Sequence, residues 1–377
     1  MAQRLVAVFT PFEDLADPRI ERTRVHDLFE LVVVALCGTI AGADSWVDIE
    51  RFGKDRLDWL RTFLKLEGGV PSHDTFGRVF AMLDPAKLMA CVQQWLDELG
   101  REIGKHIAID GKTLRGSGDK AAQRNPLHLV SAWASEARLT LGQIAVDSKS
   151  NEITAIPLLL ELLDLQGATV TIDAMGCQKE IAAKIVAGGG DYVLALKGNH
   201  EKLLAEVDEA FTAALEARVR PAGMARHVTT ETNRGRSERR EYTVLPVPAS
   251  LGGTADWQGL RTLVMVLRIT LIDGQEKGEV SYFLSSLPPK AKTLAKLIRQ
   301  HWSIESRLHW VLDVTFSEDK SRIRKQHAPQ TSALLRRMAV SILQGDTSLK
   351  DSIRGKRYRA CLSTNNLERI LLSFAAN

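Results

Sequence analysis

Apolar residues recur at helical spacing through 27–42, 45–66 and 74–99, which predicts a helical N-terminal domain over 1–105. The turn EGGVPS (67–72) separates the last two stretches, with Ser72 placed to cap the next helix. Helix, glycine turn and helix suit a helix-turn-helix and suit a plain helical bundle equally. From 106 the period shortens. HIAID (106–110) reads as a strand ending in Asp110, and LHLVSAWAS (127–135) with RLTLGQIAV (138–146) as a hairpin. ITAIPLLLELL (153–163) reads as a helix with Pro157 in its first turn. ATVTID (168–173) is a strand ending in Asp173, QKEIAAKIVAGG (178–189) a helix, and DYVLALKGN (191–199) a strand. Strand, hairpin, helix, strand, helix, strand predicts an α/β fold with a mixed sheet flanked by helices.

The pattern changes again after a helix at 201–217. Residues 220–287 read as a β-rich insertion with a basic turn at Arg234, Arg236, Arg239 and Arg240, and helices resume at Lys290. The expected organisation is therefore a helical domain (1–105), a first catalytic part (106–219), the insertion (220–287), a second catalytic part (288–345) and a basic C-terminal segment (346–377). That last segment carries Arg354, Lys356, Arg357 and Arg359.

Composition narrows this picture little. Of 377 residues, 45% are hydrophobic and 25% charged, as in a soluble globular chain, and the net charge of +4 leans only mildly toward polyanions. Cys37, Cys91, Cys177 and Cys361 show no CxxC spacing, so neither a zinc site nor a disulfide framework is indicated, and a reducing cytoplasm is expected. The most apolar run, LFELVVVALCGTIAGA (28–43), is too short for a membrane span and contains Glu30, which predicts a buried core helix.

HWSIESRLHW (301–310) poses a chemical question. At 100° per residue, Ile298, Trp302, His309 and Leu312 crowd around Glu305, with Leu297, His301 and Leu308 extending the stripe. A carboxylate buried there would need a cationic partner, either a basic side chain or a bound metal ion. Asp110 and Asp173 each end an apolar strand, where α/β folds commonly place active-site groups. Three acids brought together would persist only with raised pKa values or with divalent metal between them. Oxygen ligands suit Mg²⁺ or Mn²⁺, and two such ions would suit phosphodiester chemistry.

Several segments carry a family resemblance: AIDGKTLRGS, TIDAMGCQKEIA, DYVLALKGNH, SYFLSSL and above all RQHWSIESRLHWVLDVTFSEDKSRIR. Together they resemble the DDE-class insertion-sequence transposases, in the branch of the H-repeat-associated proteins. DPRIERTRVHDLFELVVVALCGTIAGADSWVDIERF and GGVPSHDTFGRVF resemble that branch's associated N-terminal domain. The resemblance implies an RNase H-like catalytic fold, two Mg²⁺ ions (Mn²⁺ as substitute), and movement of a DNA element bounded by terminal inverted repeats. It also implies Asp110, Asp173 and Glu305 as catalytic and metal-binding residues, with a homodimer or larger synaptic complex on double-stranded DNA. The superfamily's Tyr-x2-Arg-x3-Glu-x6-Lys pattern is replaced by Ile298, His301 and Leu312, so those roles do not carry over.

Lys112, Arg115, Lys197, Asn199 and His301 lie beside the carboxylates in the sequence motifs and are the candidate DNA contacts. Trp302 is expected in the core, and Glu318 and Asp319 in ion pairs with Arg322 or Arg324 or near the metal. The alternative functions are another RNase H-like metal nuclease, such as a junction resolvase, and a catalytically inactive DNA-binding remnant.

Overall fold

The computed structural model describes residues 2–98, 100, 103–146, 152–233, 236–272 and 275–376. Nine strands are found among them: β1 (His106–Leu114), β2 (Leu127–Ala134), β3 (Leu139–Val146), β4 (Thr169–Ile172), β5 (Asp191–Leu196), β6 (Ala225–Asn233), β7 (Arg236–Pro246), β8 (Thr262–Ile272) and β9 (Gln275–Ser285). The chain divides into two compact units. One comprises Met1–Ile103, Gly111–Lys149 and Glu305–Asn377, the other Gly104–Asp110 and Ser150–Ile304.

The second unit is built on strands ordered β1-β4-β5-β9-β8-β7-β6. β1, β4 and β5 run parallel, and every later neighbour is antiparallel. All four residues of β4 (TVTI) are buried, as expected of a parallel strand covered on both faces. The β-rich segment after residue 220 extends the same sheet, since β9 pairs with β5 through Leu194↔Leu284. The Ala291–His301 helix lies on this sheet, where Leu294 and Ile298 pack with Val193, Tyr242, Val244 and Val264. In the Glu152–Glu161 helix Pro157 lies in the interior and not in the first turn. The architecture is mixed α/β, a mixed sheet flanked by helices, as the order of elements in the sequence predicts.

The first unit is mainly helical. The Leu28–Ile40 helix is buried on almost every side, which accounts for its unbroken apolar run, and it packs against the equally buried Ala328–Gly345 helix. Glu30 is held there by accepting the Leu66 N–H at 2.7 Å. Asp27, Ser45 and Ser72 cap the helices that follow them, each accepting a backbone N–H three residues on. The stretches read as 45–66 and 74–99 are each broken: Trp46–Asp55 is followed by Leu57–Leu60, and His73–Met82 by Pro85–Glu98. Pro85 opens the last of these, where its missing N–H costs nothing. The β2–β3 hairpin of this unit is packed by the Ala328–Gly345 and Pro85–Glu98 helices. No helix among the described residues is long and apolar enough to cross a membrane.

Candidate active site

Parallel pairing sets the site's first geometry. β1 and β4 pair in the register Ile109↔Ile172, so Asp110 and Asp173 each follow the last paired residue of neighbouring strands. Strands in a sheet lie about 4.8 Å apart, so the backbones of the two aspartates stand side by side where β4 ends, while β1 runs on to Leu114. Asp173 caps the short turn Ala174–Gly176, and its Oδ1 accepts the Met175 N–H at 3.1 Å. Asn199 Nδ2 donates to Ala174 O at 2.8 Å and His200 is bonded to Cys177 O, so the loop after β5 braces the loop after β4. Gly176 is required by close packing: a Cβ there would stand 2.3 Å from Ile172 Cγ2. Lys197, at the start of the bracing loop, is exposed.

A chain of buried polar groups that sequence reading missed joins β1 and β4. His106 Nε2 is hydrogen-bonded to Thr171 Oγ1 at 2.9 Å, and the same hydroxyl is bonded to His301 Nδ1 at 3.0 Å. Burial, aided by the nearby His301 and Lys296, pushes the His106 imidazole down to about 3, so it is neutral near pH 7. Period-two spacing puts His106 and Thr171 on strands, but nothing local indicates that they share a partner on a helix 130 residues away.

Glu305 is one helical turn beyond His301 in the chain. It opens a π-helical turn, Glu305–His309, an element frequent at functional sites. Here the structure corrects the sequence reading. Glu305 is not buried in an apolar stripe; its side chain is 53% exposed, with Oε2 3.7 Å from Nδ1 of the buried His309. Trp302 is also not core, being 51% exposed, and Ile304 is buried in its stead. The reason is a break in helical phase: Ala291–His301 ends at Trp302, and the π turn replaces i→i+4 bonds with i→i+5. A projection at 100° per residue cannot hold across that break. His301, Leu308 and Leu312 are buried as expected.

Lys112, on the part of β1 that belongs to the first unit, is also buried. Its Nζ lies 2.7 Å from Asp313 Oδ1, 3.1 Å from Asp319 Oδ1 and 3.9 Å from Glu318 Oε2. Burial holds the Asp313 carboxyl above its ordinary value against the pull of Lys112. Glu318 is paired with the fully buried Arg337 at 3.0 Å, and Asp319 also faces the exposed Arg115 at 3.4 Å. The partners of Glu318 and Asp319 are thus Lys112, Arg115 and Arg337 rather than Arg322 or Arg324. Gly116 seals this arrangement, since a Cβ would stand 2.3 Å from Ser321 O and 2.8 Å from Asp319 O.

Several residues of the two basic clusters are held in ion pairs. Arg357 is bonded to Asp44 at 2.6 Å and lies over the Phe316 ring; Lys356 is paired with Asp346 and Arg359 with Asp351. Arg239 and Arg240 are paired with Glu241 and Glu238. Arg234 lies outside the described residues.

Residues 9–96 match the family described as DDE_Tnp_1-associated, and residues 102–342 the family described as Transposase DDE domain. The chain belongs to the DDE transposase family. Within it, the chain is 40% identical over 352 residues to the "H repeat-associated putative transposase YhhI" of Escherichia coli K12, with 92% of each chain covered. It is 40% identical over 354 residues to YncI of Escherichia coli O157:H7, likewise named a transposase, with 92% of this chain and 90% of that one covered. A piggyBac transposase synaptic complex with hairpin DNA aligns over 98% of this chain and 79% of that one, with a TM-score of 0.44 and 12% identity.

Proposed function

We propose that the protein cleaves DNA at the ends of an insertion sequence and joins the freed ends to target DNA, using divalent metal held by Asp110, Asp173 and Glu305. The observation that supports this reading is the register of β1 and β4: Asp110 and Asp173 each stand one residue past the last pair, Ile109↔Ile172, although β1 runs on to Leu114 and does not end at Asp110 as the sequence suggests. Two carboxylates, as hard oxygen donors, fit Mg²⁺ or Mn²⁺. Glu305, at the start of the π turn that follows the break at Trp302, supplies the third carboxylate, and its exposure leaves it accessible to solvent and substrate. When bound, two such ions lower the pKa of an attacking water or 3′-hydroxyl and stabilise the departing oxygen.

The remaining work falls to the protein's own groups. The Met175 N–H fixes the orientation of the Asp173 carboxyl, and Asn199 holds the loop that presents it. His301, tied to Thr171, anchors the helix that leads to Glu305. The exposed Arg115, five residues after Asp110, and the exposed Lys197, directly after β5, contact the DNA backbone, while the buried Lys112 and His301 support the site from within. The DNA bears the terminal inverted repeats, and pairing of two ends calls for a homodimer or larger synaptic assembly.

The test is strand cleavage and joining by full-length protein on duplex DNA carrying the element's own ends. Asp110→Asn, Asp173→Asn and Glu305→Gln should each lower cleavage by more than about 10²-fold, the scale of losing one preorganised electrostatic group. DNA affinity should stay near that of the unsubstituted protein. Cuts without joined products would instead indicate a resolvase-type nuclease.

A further inference from the structure

Two sequence segments that the catalytic reading leaves unused meet in the first unit. GGVPSHDTFGRVF contributes the His73–Met82 helix, and SEDKSRIRK the irregular segment after Asp319. They line one cleft of about 870 Å³, together with the start of the Trp46–Asp55 helix. Its walls are fastened to each other: His327 N–H donates to Ala81 O at 3.2 Å, and Thr331 Oγ1 to Phe80 O at 2.9 Å. Arg324 anchors the irregular segment from behind, donating to Gly116 O at 3.0 Å and facing Asp119 at 3.3 Å.

The charge lining this cleft is unbalanced. Arg78, Lys320, Arg322 and Lys325 are exposed, and none has a carboxylate partner among the described residues. The lining carboxylates are Asp44, which is taken by Arg357, and Asp74, which has His73 3.7 Å away. The starts of two helices add partial positive charge. We infer that this cleft is a track for the phosphate backbone of duplex DNA, an inference that rests on the transposase reading above.

The form of the site selects the ligand. A pocket for one small anion would converge buried donors on a point, whereas these cations are exposed and come from both walls, as an extended polyanion requires. A single-strand site would offer aromatic faces for bases. The lining Trp46 is already stacked on Phe80, with ring centroids 4.9 Å apart at 24°. Backbone contact by Lys and Arg gives affinity without reading sequence, which suits a surface that holds DNA while the carboxylates act.

The experiment measures binding of full-length protein to a labelled duplex three helical turns long, over a range of salt concentrations, for the unsubstituted chain and for Arg78→Ala/Arg322→Ala/Lys325→Ala. Each lost phosphate contact should make the plot of log K against log salt shallower by about 0.9, so the triple variant should lose about 2.7 in slope and bind at least about tenfold more weakly at low salt. Lys325→Ala alone should lose about 0.9, which guards against misfolding of the triple variant. Unsubstituted protein that binds and nicks DNA, with both variants keeping its slope, overturns the cleft and leaves the transposase reading intact. Protein that binds with the expected slope losses yet never nicks DNA supports the cleft and counts against the proposed activity. Failure of the unsubstituted protein to bind any duplex overturns both.

Discussion

Asp110 and Asp173 occupy equivalent positions on neighbouring parallel strands, each one residue past the pair Ile109↔Ile172. Strand pairing therefore sets the two backbones next to each other. Two carboxylates so placed repel unless a cation or a proton lies between them. A divalent ion bound by both, as proposed above, would relieve that repulsion.

Removing the cation from the Lys112 cluster should be costly. Lys112→Met leaves Asp313, Glu318 and Asp319 without their shared ammonium, and breaking a buried pair from one side typically costs about 3–5 kcal/mol. The denaturant midpoint of unfolding should fall accordingly. Adding Asp313→Asn to Lys112→Met should restore part of the loss, because one unpaired charge disappears with it. Equal stability of Lys112→Met and the unsubstituted chain would show that the cluster holds nothing in place.

Gly116→Ala tests the same region by sterics. The new Cβ would meet two backbone carbonyl oxygens, which cannot swing aside as a flexible side-chain end can. A loss of about 1–3 kcal/mol is expected, the usual range for overpacking, together with lower cleavage activity. The measurements are unfolding stability and nicking rate on the same preparation, and an unchanged pair would refute the close approach.

Acid should weaken the fold through His106. Its folded pKa, about 3, lies below the unfolded value of 6.5, so between the two the unfolded chain binds more protons. The contribution of His106 is fully present above pH 6.5 and is lost as pH falls toward 3. By pH 5 the loss amounts to about 2 kcal/mol. Stability curves of the unsubstituted chain and His106→Gln should therefore converge with falling pH. Parallel curves would mean that His106 titrates normally.

How much of this was legible beforehand depended on how local each signal is. The strands that lead into Asp110 and Asp173 could be read because each apolar run is written within six residues, though β1 continues to Leu114 beyond the polar residues that seemed to end it; the order of elements follows from period changes along the chain. The exposure of Glu305 and Trp302 could not be read, because the π turn shifts helical phase without marking the residues that form it. Charge was the least legible property. Arg357 and Lys356 look like a solvated surface run, yet their partners Asp44 and Asp346 are identifiable only once the chain has folded. Conversely Arg78 and Arg322 look unrelated until one cleft brings them together.

Metal rescue tests the carboxylate site most directly. Asp110→Cys and Asp173→Cys replace a hard oxygen donor with a thiolate, which binds Mg²⁺ poorly and softer Mn²⁺ better. Nicking of the element's ends by each variant should be lost with Mg²⁺ and regained with Mn²⁺, while the unsubstituted protein works with either. Full activity of both cysteine variants in Mg²⁺ would contradict metal ligation by these two aspartates.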